Sequence, residues 1–448
     1  MQVAITGSSG QLGTVLLRRL AADRTIKRIV AIDLKAPSVA GTKIERVRAD
    51  VRDPKLAERF AGCDAVIHLA FVVTDNPGRS VFESINVGGS KNVFDCAVAA
   101  GVKHLLYSSS VAAYGVTSGH PDPIVETTPR KFVPEFAYSA TKYQVEAYLD
   151  ELQRAHEGVR ITRFRPGILV GTHMDHPLGE ALKKRRIVQV HDSPMPIVWD
   201  EDVADAFVLA LKKGVAGAFN VVADESLSPA GLGAAAGLRV VHAPLAIATL
   251  AVRLSPVLAR FGLGKSVDPA WVTHMGHRMS FSSEKAKREL GWQPKCPTAA
   301  SVMRRYVEAN AGKTDLRIAV FLKLANAAAR RAPPMPEGQR IDLRAHLALT
   351  GVGGGDWTLD VQGGRLSIAR GIPRPPDAVL TLKATTFLDL LAGKADFGSA
   401  QLTGKIRVEG EPRATMILGA MVQMFRHGTT EKGPRGATTR TMSAWFAG

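Results

Sequence analysis

Cysteine is scarce in this sequence, which contains only three cysteines among 448 residues. Cys63, Cys96 and Cys296 lie far apart and have no metal-ligand spacing, so we predict neither a disulfide framework nor a zinc site. Long apolar runs are also missing, and no window approaches the roughly 20 uncharged apolar residues that a membrane span requires. The first strand is expected to begin at once in residues 1–6, which leaves no room for a leader peptide. We therefore expect a cytoplasmic protein.

Acidic residues are in deficit, because the chain has 58 Lys and Arg against 41 Asp and Glu, a net charge of +17. A field of this sign favours anionic ligands, an anionic membrane surface or nucleic acid as partners. Basic clusters occur at residues 183–186, at residues 330–331 and near the C-terminal tail, but no nucleic-acid module and no interleaved aromatic residues accompany them. We therefore expect no nucleic-acid partner. The simplest interpretation of the net charge is that basic side chains face solvent. Binding to an anionic membrane surface is the alternative, and a homodimer is also possible.

The chain is too long for a single core and suits two domains. Through about residue 220, short apolar runs alternate with amphipathic helical stretches. This alternation predicts parallel βαβ units and hence a doubly wound α/β sheet that is buried on both faces. The apolar stretch 240–263 is broken by prolines and arginines, so we interpret it as a helical cap over a site or as a segment that dips into a membrane interface. The predicted strands are residues 3–6, 28–33, 65–70, 104–108, 160–163 and 217–222.

The hydrophobic period changes near residue 340. An amphipathic, basic helix is predicted over residues 314–332 and ends at Pro333-Pro334. Beyond this break apolar residues alternate with polar ones, and Gly363-Gly364 is a hairpin signal, so the second domain is predicted as an α+β fold with an antiparallel sheet and helices on one side. Its predicted elements are strands at 341–349, 357–361, 378–383 and 405–409 and helices at 386–392 and 413–425. The chain thus divides into an N-terminal domain 1–312, an amphipathic helical linker 313–336 and a C-terminal domain 337–448 with a basic tail.

A glycine-rich turn follows the first predicted strand directly and opens a helix, with Gly7, Gly10 and Gly13 spaced as in dinucleotide-binding loops. Such glycines allow a tight turn and let a pyrophosphate approach the helix N-terminus, where free N–H groups favour an anion. Asp33 ends the second strand 20 residues after Gly13, where a carboxylate can bind the adenosine ribose. Because a carboxylate repels a 2′-phosphate, we predict NAD rather than NADP, although Lys35 lies close by.

Tyr138 and Lys142 are four residues apart and therefore lie on one helical face. We expect the neighbouring ammonium, together with the positive nicotinamide ring, to lower the pKa of the tyrosine from about 10, so that the phenol exchanges a proton with a substrate hydroxyl or carbonyl. Lys142 can also bind the nicotinamide ribose. The strand 104–108 runs into Ser108-Ser109-Ser110 at the carboxyl edge of the sheet, where a serine hydroxyl can hydrogen-bond the reacting oxygen. One of these serines, Tyr138 and Lys142 form the predicted catalytic set.

Taken in order, these motifs resemble the extended short-chain dehydrogenase/reductase family, which includes nucleotide-sugar epimerases and dehydratases and 3β-hydroxysteroid dehydrogenases. The resemblance covers about residues 1–310, with later signatures at Trp199–Ala204 and Leu290–Pro294. Ser110 corresponds to the catalytic serine of that family because it stands four residues before Tyr114. The resemblance implies a Rossmann domain in which NAD is bound by Gly7, Gly10, Gln11, Leu12, Gly13, Asp33, Asp50, Val51, Leu69, Ala70, Asn86, Tyr138, Lys142 and Pro166.

Two departures from the family pattern concern the substrate. Dehydratases of the family carry an Asp-Glu pair after the catalytic hydroxyl residue, whereas Val111-Ala112 follow Ser110 here, so we do not expect dehydration of a sugar. Ile168 stands where many sugar-nucleotide members have Asn, and an apolar residue there suits a hydrophobic substrate.

The C-terminal part, residues 340–425, resembles the sterol carrier protein family, a small α+β domain with an apolar tunnel for lipids. The resemblance depends on hydrophobic pattern and glycines, in residues 357–369, 377–383, 387–394 and 402–410. Met416, Met421 and Met424 fall on the last predicted helix, where methionines can line a lipid pocket or simply fill a core.

Three functions remain open at this point. The preferred one is an NAD-dependent oxidoreductase that acts on a hydroxyl or ketone of a sterol-like or long-chain lipid, with the C-terminal domain holding the same hydrophobic small-molecule substrate at a raised local concentration. The second is an NAD-dependent nucleotide-sugar epimerase, which a polar, arginine-rich pocket would favour. The third is a protein that binds NAD and lipid without turnover, but both the glycine turn and Tyr138 are present.

Overall fold

The structure is a computed structural model, in which the chain forms two compact units. Along the sequence the units divide between Arg305 and Tyr306, and residues 234–239 group with the second unit. Three predicted features lie outside the described residues: the basic residues 183–185, the proline pair 333–334 and the tail from residue 431. The structure describes residues 1–430 apart from 74–77, 173, 175–177, 180–181, 183–185, 261–267, 275, 311–314, 332–336, 338–340, 352 and 373.

The first unit contains a seven-stranded sheet in which every neighbouring pair of strands is parallel. Its strands are β1 (Gln2–Thr6), β2 (Arg28–Asp33), β3 (Ile44–Arg48), β4 (Ala65–His68), β5 (His104–Ser108), β6 (Arg160–Pro166) and, after three short strands, β10 (Gly217–Val221). The short strands are β7 (Ile168–Val170), β8 (Arg186–Gln189) and β9 (Ile197–Trp199), and β11 (Arg239–His242) follows β10. The order across the sheet is β3-β2-β1-β4-β5-β6-β10, so it reverses between β1 and β4, where doubly wound folds bind dinucleotides. The predicted doubly wound parallel sheet is confirmed.

Helices cover both faces of this sheet because alternate side chains of each strand point to opposite sides. Val3 and Ile5 of β1 belong to the core that holds the apolar faces of α1 and α6, whereas Ala4 belongs to the core that holds α4 and α5. The helices up to residue 309 are α1 (Gln11–Ala22), α2 (Leu56–Phe60), α3 (Arg79–Glu83), α4 (Gly89–Ala99), α5 (Ala137–Ala155), α6 (Asp200–Lys213), α7 (Pro229–Ala236), α8 (Leu245–Arg260), α9 (Ala270–His274) and α10 (Ala299–Ala309). Shorter helical turns are Ser84–Gly88, Val111–Tyr114 and Ala286–Leu290.

The second unit contains a five-stranded sheet with the order β14-β13-β12-β15-β16. Its strands are β12 (Leu343–Thr350), β13 (Gly355–Gln362), β14 (Arg365–Arg370), β15 (Ala378–Lys383) and β16 (Ile406–Gly410). Gly363 and Gly364 form the predicted two-residue hairpin turn, and both have the positive φ that such turns require. The antiparallel prediction is wrong for one pair, since β12 and β15 are parallel and the sheet is therefore mixed. The connection from β14 to β15 brings the chain back beside β12 in the same direction, which alternation of side chains alone does not reveal.

The helix predicted as a linker is α11 (Leu316–Arg331), and its apolar side chains lie in the core of the second unit. Ile318, Phe321 and Leu322 are buried there, and the Phe321 ring contacts that of Phe387 edge to face at 5.7 Å. The other helices of this unit are α12 (Ala384–Leu391), α13 (Phe397–Leu402) and α14 (Ala414–Thr430). An amphipathic helix with a buried face is a structural part of its domain, so α11 does not act as a free linker.

Within the described residues, no helix is both long enough and apolar enough to cross a bilayer.

We predict that a fragment of residues 313–448 unfolds at a clearly higher urea concentration than a fragment of residues 337–448. The shorter fragment lacks the three buried side chains of α11, each of which stabilises the fold by about 1.5–3 kcal/mol. Within the longer fragment, Phe321→Ala should cost about 3–5 kcal/mol, while the exposed Leu316→Ala should change stability by less than about 0.5 kcal/mol. Equal urea midpoints for the two fragments would contradict this role of α11.

Candidate active site

The glycine turn between β1 and α1 packs directly against the chain that leaves β4. Gly7 has a φ of +72°, and a Cβ added there would lie 2.5 Å from the Ala70 nitrogen, so no other residue fits. A Cβ at Gly13 would lie 2.2 Å from the Gly7 carbonyl oxygen, so position 13 also requires glycine. The Ser8 hydroxyl is buried and has no hydrogen-bond partner within the described residues. A turn held this closely to the sheet, with an unpaired donor and the N-terminus of α1 beside it, fits a bound pyrophosphate.

Asp33 lies at the end of β2 beside the glycine turn. Its carboxylate accepts hydrogen bonds from the backbone N–H of Ser9 at 3.0 Å and of Lys35 at 3.1 Å. These two bonds hold the carboxylate at the carboxyl edge of the sheet, where the sequence predicts the adenosine ribose. The position fits NAD, because a fixed carboxylate accepts from ribose hydroxyls and repels an added phosphate.

Three other residues predicted to bind the cofactor have internal contacts. The Asp50 carboxylate pairs with Arg52 at 2.7 Å, which lowers the pKa of this aspartate. Asn86 uses its amide oxygen and its amide N–H on the backbone of Val72, at 2.8 and 2.9 Å, so it positions the segment after β4. Val51 is buried against Gly89, where an added Cβ would lie 2.5 Å from the valine side chain. Among the remaining predicted residues, Leu69 and Ala70 contact the glycine turn, Gln11 and Leu12 begin α1, and Pro166 ends β6.

Gln11 connects the glycine turn to a buried carboxylate that sequence analysis did not single out. Its amide N–H donates to Asp200 at 3.0 Å. Asp200 is almost fully buried at the start of α6, and a Cβ at Gly171 would lie only 1.8 Å from its carboxylate. Burial raises the pKa of Asp200 to about 6, although the bond from Gln11 opposes this increase. The sequence signal was present in Trp199–Ala204, but nothing in it distinguishes this aspartate from its acidic neighbours.

Ser110 lies near the phenol of Tyr138, close enough for its hydroxyl to lower the pKa of that group. Ser110 caps the short helical turn Val111–Tyr114 by accepting a hydrogen bond from Ala112 N–H at 3.1 Å. Burial raises the pKa of Tyr138, and the Ser110 hydroxyl opposes this increase. A phenol held beside a serine hydroxyl can share a single substrate oxygen with it, which is the arrangement that proton exchange needs.

Lys142 lies on the same helix as Tyr138, and its ammonium group bonds to residues at the end of β5. It donates to the Ser108 carbonyl at 2.8 Å and to the Tyr107 hydroxyl at 3.2 Å, and it stands 3.4 Å from the centre of the Phe71 ring. Burial lowers the pKa of Lys142 well below its ordinary value, while Glu146 raises it. In the structure described, burial is the largest cause of the shift and raises the Tyr138 pKa. The lowering expected from Lys142 together with the positive nicotinamide ring stays a prediction for the site with bound cofactor.

A buried histidine supports this region and was missed at the level of sequence. His68 ends β4, and its ring nitrogens bond to the Thr6 hydroxyl at 2.6 Å and the Ser90 hydroxyl at 2.9 Å. The ring stacks on Tyr107 at 5.7 Å. Burial, aided by the positive charge of Lys142, lowers the pKa of His68 to about 3, so it stays neutral. It acts as a structural bridge between β1, β4 and α4.

A buried ion cluster lies one helical turn beyond Lys142. The Glu146 carboxylate accepts from the Ser109 hydroxyl at 2.6 Å, from Arg130 at 3.1 Å and from both sides of the Arg165 guanidinium, at 2.9 and 2.5 Å. Although burial alone would raise the pKa of Glu146, the two arginines and Ser109 hold it at about 2. Arg165 also lies 4.5 Å from the centre of the Tyr114 ring. Both arginines are thus committed to a structural carboxylate.

Aromatic rings surround the Tyr138 phenol. Phe71 meets the ring edge to face at 5.8 Å, and Trp271 of α9 lies at 5.3 Å on a tilted plane. Phe136 lies at 6.3 Å, and His274 stacks on Phe136 at 5.5 Å. Tyr138 and Trp271 pack against a buried apolar cluster that includes Val111, Val116, Ile124, Met279 and Phe281. The candidate catalytic phenol therefore has an apolar environment.

The reversed parallel sheet and the glycine turn, with the family match of this part of the chain, are those of an NAD-dependent enzyme of the extended short-chain dehydrogenase/reductase type. Residues 3–222 match the model of the NAD dependent epimerase/dehydratase family. Residues 326–423 match the SCP-2 sterol transfer family. The recognition of both families from the sequence is confirmed.

Several known proteins resemble part of this chain. An uncharacterized protein of Mycobacterium tuberculosis is 27% identical over 309 residues, which cover 66% of this chain and 81% of that protein. Sterol demethylase protein B of Methylococcus capsulatus is 27% identical over 237 residues, or 50% of this chain and 70% of that protein. The crystal structure of UDP-glucose-4-epimerase from Stenotrophomonas maltophila, with bound NAD and formylated UDP-arabinopyranose, superposes with a TM-score of 0.54 at 22% identity, and covers 69% of this chain and 97% of that one. The similarity to this epimerase structure shows a shared fold.

We predict that Asp200→Asn removes a pH-dependent loss of stability. The folded-state pKa of about 6 lies above that of an unfolded aspartate, so stability is fully present below about pH 4 and is lost as the pH rises through about 6. The variant should therefore gain up to about 3 kcal/mol over the parent protein at pH 8 and almost nothing at pH 4. Calorimetry of the unfolding transition of the first unit at both pH values measures this difference. Asp205→Asn, on the same helix, is the control, and a gain at pH 8 that it shares would contradict the assignment to Asp200.

Proposed function

We propose that this enzyme oxidises a hydroxyl group or reduces a ketone on an apolar, sterol-like or long-chain lipid substrate. The observation that carries the proposal is the environment of Tyr138, whose phenol is bordered by Phe71, Phe136 and Trp271. Apolar walls with a few placed polar groups are typical of sites that bind hydrophobic small molecules. The nearby arginines already have carboxylate partners, since Arg165 pairs with Glu146 and Arg130 pairs with both Glu146 and Asp150.

The proposed chemistry assigns one task to each catalytic residue. Tyr138 exchanges the proton of the substrate oxygen through its phenolic oxygen, and Ser110 donates a hydrogen bond to the same oxygen. Lys142, fixed by Ser108 and Tyr107, holds the nicotinamide ribose and stabilises the phenolate when it forms. Bound NAD supplies the hydride acceptor, or the donor in its reduced form. We assign its pyrophosphate to the turn between Gly7 and Gly13 and its adenosine ribose to Asp33.

The second unit supports an apolar substrate through its own core. Trp357 on β13 is buried among aliphatic residues, and its indole N–H has no hydrogen-bond partner within the described residues. A single buried donor in an apolar core suits the hydroxyl, carbonyl or carboxylate oxygen of a lipid. The match to a sterol transfer family and the similarity of part of the chain to a sterol demethylase protein point to the same class of ligand. We propose that the second unit binds the substrate and delivers it to Tyr138.

A nucleotide-sugar epimerase is the second candidate, and the fold shared with UDP-glucose-4-epimerase favours it. An epimerase substrate carries a diphosphate, which needs cationic partners. Turnover of UDP-glucose with no turnover of sterols or long-chain alcohols would select this candidate over the first.

We predict that Tyr138→Phe lowers kcat for hydroxysteroids or long-chain alcohols by at least about 100-fold, because the proton-exchanging group is lost. NAD affinity, measured by titration calorimetry, should change little, because the phenol exchanges the proton but contributes little to holding the dinucleotide. Tyr143→Phe is the matched control. Tyr143 lies on the same helix, its ring packs on Phe132 at 5.4 Å, and its loss should leave kcat unchanged. A Tyr138→Phe enzyme that retains more than about a tenth of kcat would show that another group moves the proton.

We predict that removal of residues 313–448 raises KM for poorly soluble sterols far more than it lowers kcat. The chemistry stays at Tyr138, while the raised local concentration of substrate is lost. A short, water-soluble secondary alcohol serves as the control, and its KM should not change. Equal KM values for the sterol in the full and truncated proteins would remove the proposed delivery role of the second unit.

A further inference from the structure

Helix α8 presents a row of large apolar side chains to solvent. Ile247, Leu250, Leu254 and Val257 are exposed by 62, 59, 49 and 51%, respectively. Their spacing of three, four and three residues places them on one face of the helix. Isolated exposed leucines are ordinary, but a continuous apolar stripe indicates a surface that another apolar phase covers.

The opposite face of α8 attaches it to the first unit. Ala248, Val252 and Ser255 are partly buried there, and α8 packs against α9. The exposed stripe is therefore on the outward side of an anchored helix, and it is not a core face that has failed to pack.

The charge around α8 selects the kind of partner. Residues 226–267 contain no Asp or Glu, and their cations are Arg239, Arg253, Arg260 and Lys265. Arg253 is exposed and borders the apolar stripe. An amphipathic helix with leucines on one face, arginine as its charged residue and no Asp or Glu in its own sequence has the pattern of a helix that lies in the interface of an anionic bilayer. A second copy of this chain fits less well, because a twofold contact between α8 helices would bring their like charges together.

We propose that the Ile247–Val257 face of α8 docks the enzyme on an anionic lipid surface. Its apolar side chains enter the boundary between headgroups and acyl chains, and Arg253 lies at the level of the lipid phosphates. This docking does not depend on the reaction at Tyr138, so it can be tested independently of the proposed substrate.

The test is co-sedimentation of the full-length protein with vesicles of phosphatidylcholine alone and with vesicles that also contain phosphatidylglycerol. We expect binding to the anionic vesicles that weakens as salt is raised, and a decrease of at least about tenfold in the partition coefficient for Leu250→Asn/Leu254→Asn. The matched control is Leu316→Asn/Leu402→Asn, which removes two leucines exposed by 69 and 91% on other helices and should bind as the parent protein does. Circular dichroism confirms that each variant is folded.

A second variant reports insertion of α8 into the lipid directly, through the fluorescence of an introduced tryptophan. Ile247→Trp should show a blue-shifted emission with anionic vesicles and quenching by brominated lipid chains. Three outcomes overturn the proposal: no binding of the parent protein to anionic vesicles, equal binding of the Leu250→Asn/Leu254→Asn variant, or no quenching at position 247. If the parent protein sediments as a dimer in the ultracentrifuge and the Leu250→Asn/Leu254→Asn variant as a monomer, the face is a contact between copies instead.

Discussion

The candidate active site depends on one buried carboxylate, that of Glu146. It follows Lys142 by one turn of α5, bonds to the hydroxyl of Ser109 beside Ser110, and pairs with Arg165 of β6. These contacts fix the helix, the loop and the strand that carry the site in a single arrangement. A buried ion pair of this kind contributes little net stability over an apolar pair, but loss of one partner leaves an uncompensated charge and costs about 3–5 kcal/mol. The cluster therefore matters more for holding the site residues in place than for the stability of the fold. Its arginines also keep the pKa of Glu146 low although the carboxylate is buried.

Sequence analysis predicts most of the first unit because each feature there depends on neighbouring residues. The strands β2 and β5 match their predicted bounds, since continuous apolar runs mark strands that are buried on both faces. Strand β3 was missed because Ile44–Arg48 lies at the sheet edge, is largely exposed and has three charged residues among its five, with no alternation of apolar and polar positions. The glycine turn, Ser110 and Tyr138 were found because their spacing is fixed by local geometry.

The features that sequence analysis did not predict depend on contacts between residues that are far apart in the chain. His68 bonds to Thr6, 62 residues away, and Gln11 bonds to Asp200, 189 residues away. No period or motif encodes these pairs, because each residue alone looks like an ordinary polar position. The same limit applies to the parallel pairing of β12 with β15 and to the burial of α11 in the second core, where the amphipathic pattern predicts a helix but not its docking partner.

Burial of the catalytic pair in an apolar surrounding determines which proton transfers are easy. The pKa of Tyr138 is raised and that of Lys142 is lowered, so both groups are held toward their neutral forms. A neutral phenol beside the Ser110 hydroxyl is ready to give a proton to a ketone oxygen, whereas it must first lose its proton to accept one from an alcohol. In the proposed function, the apolar walls around Tyr138 that suit a hydrophobic substrate also favour the role of this residue as an acid. Oxidation in this site requires positive charge near the phenol, and the Lys142 nitrogen, 5.9 Å from the centre of the Tyr138 ring, can provide it when it is protonated.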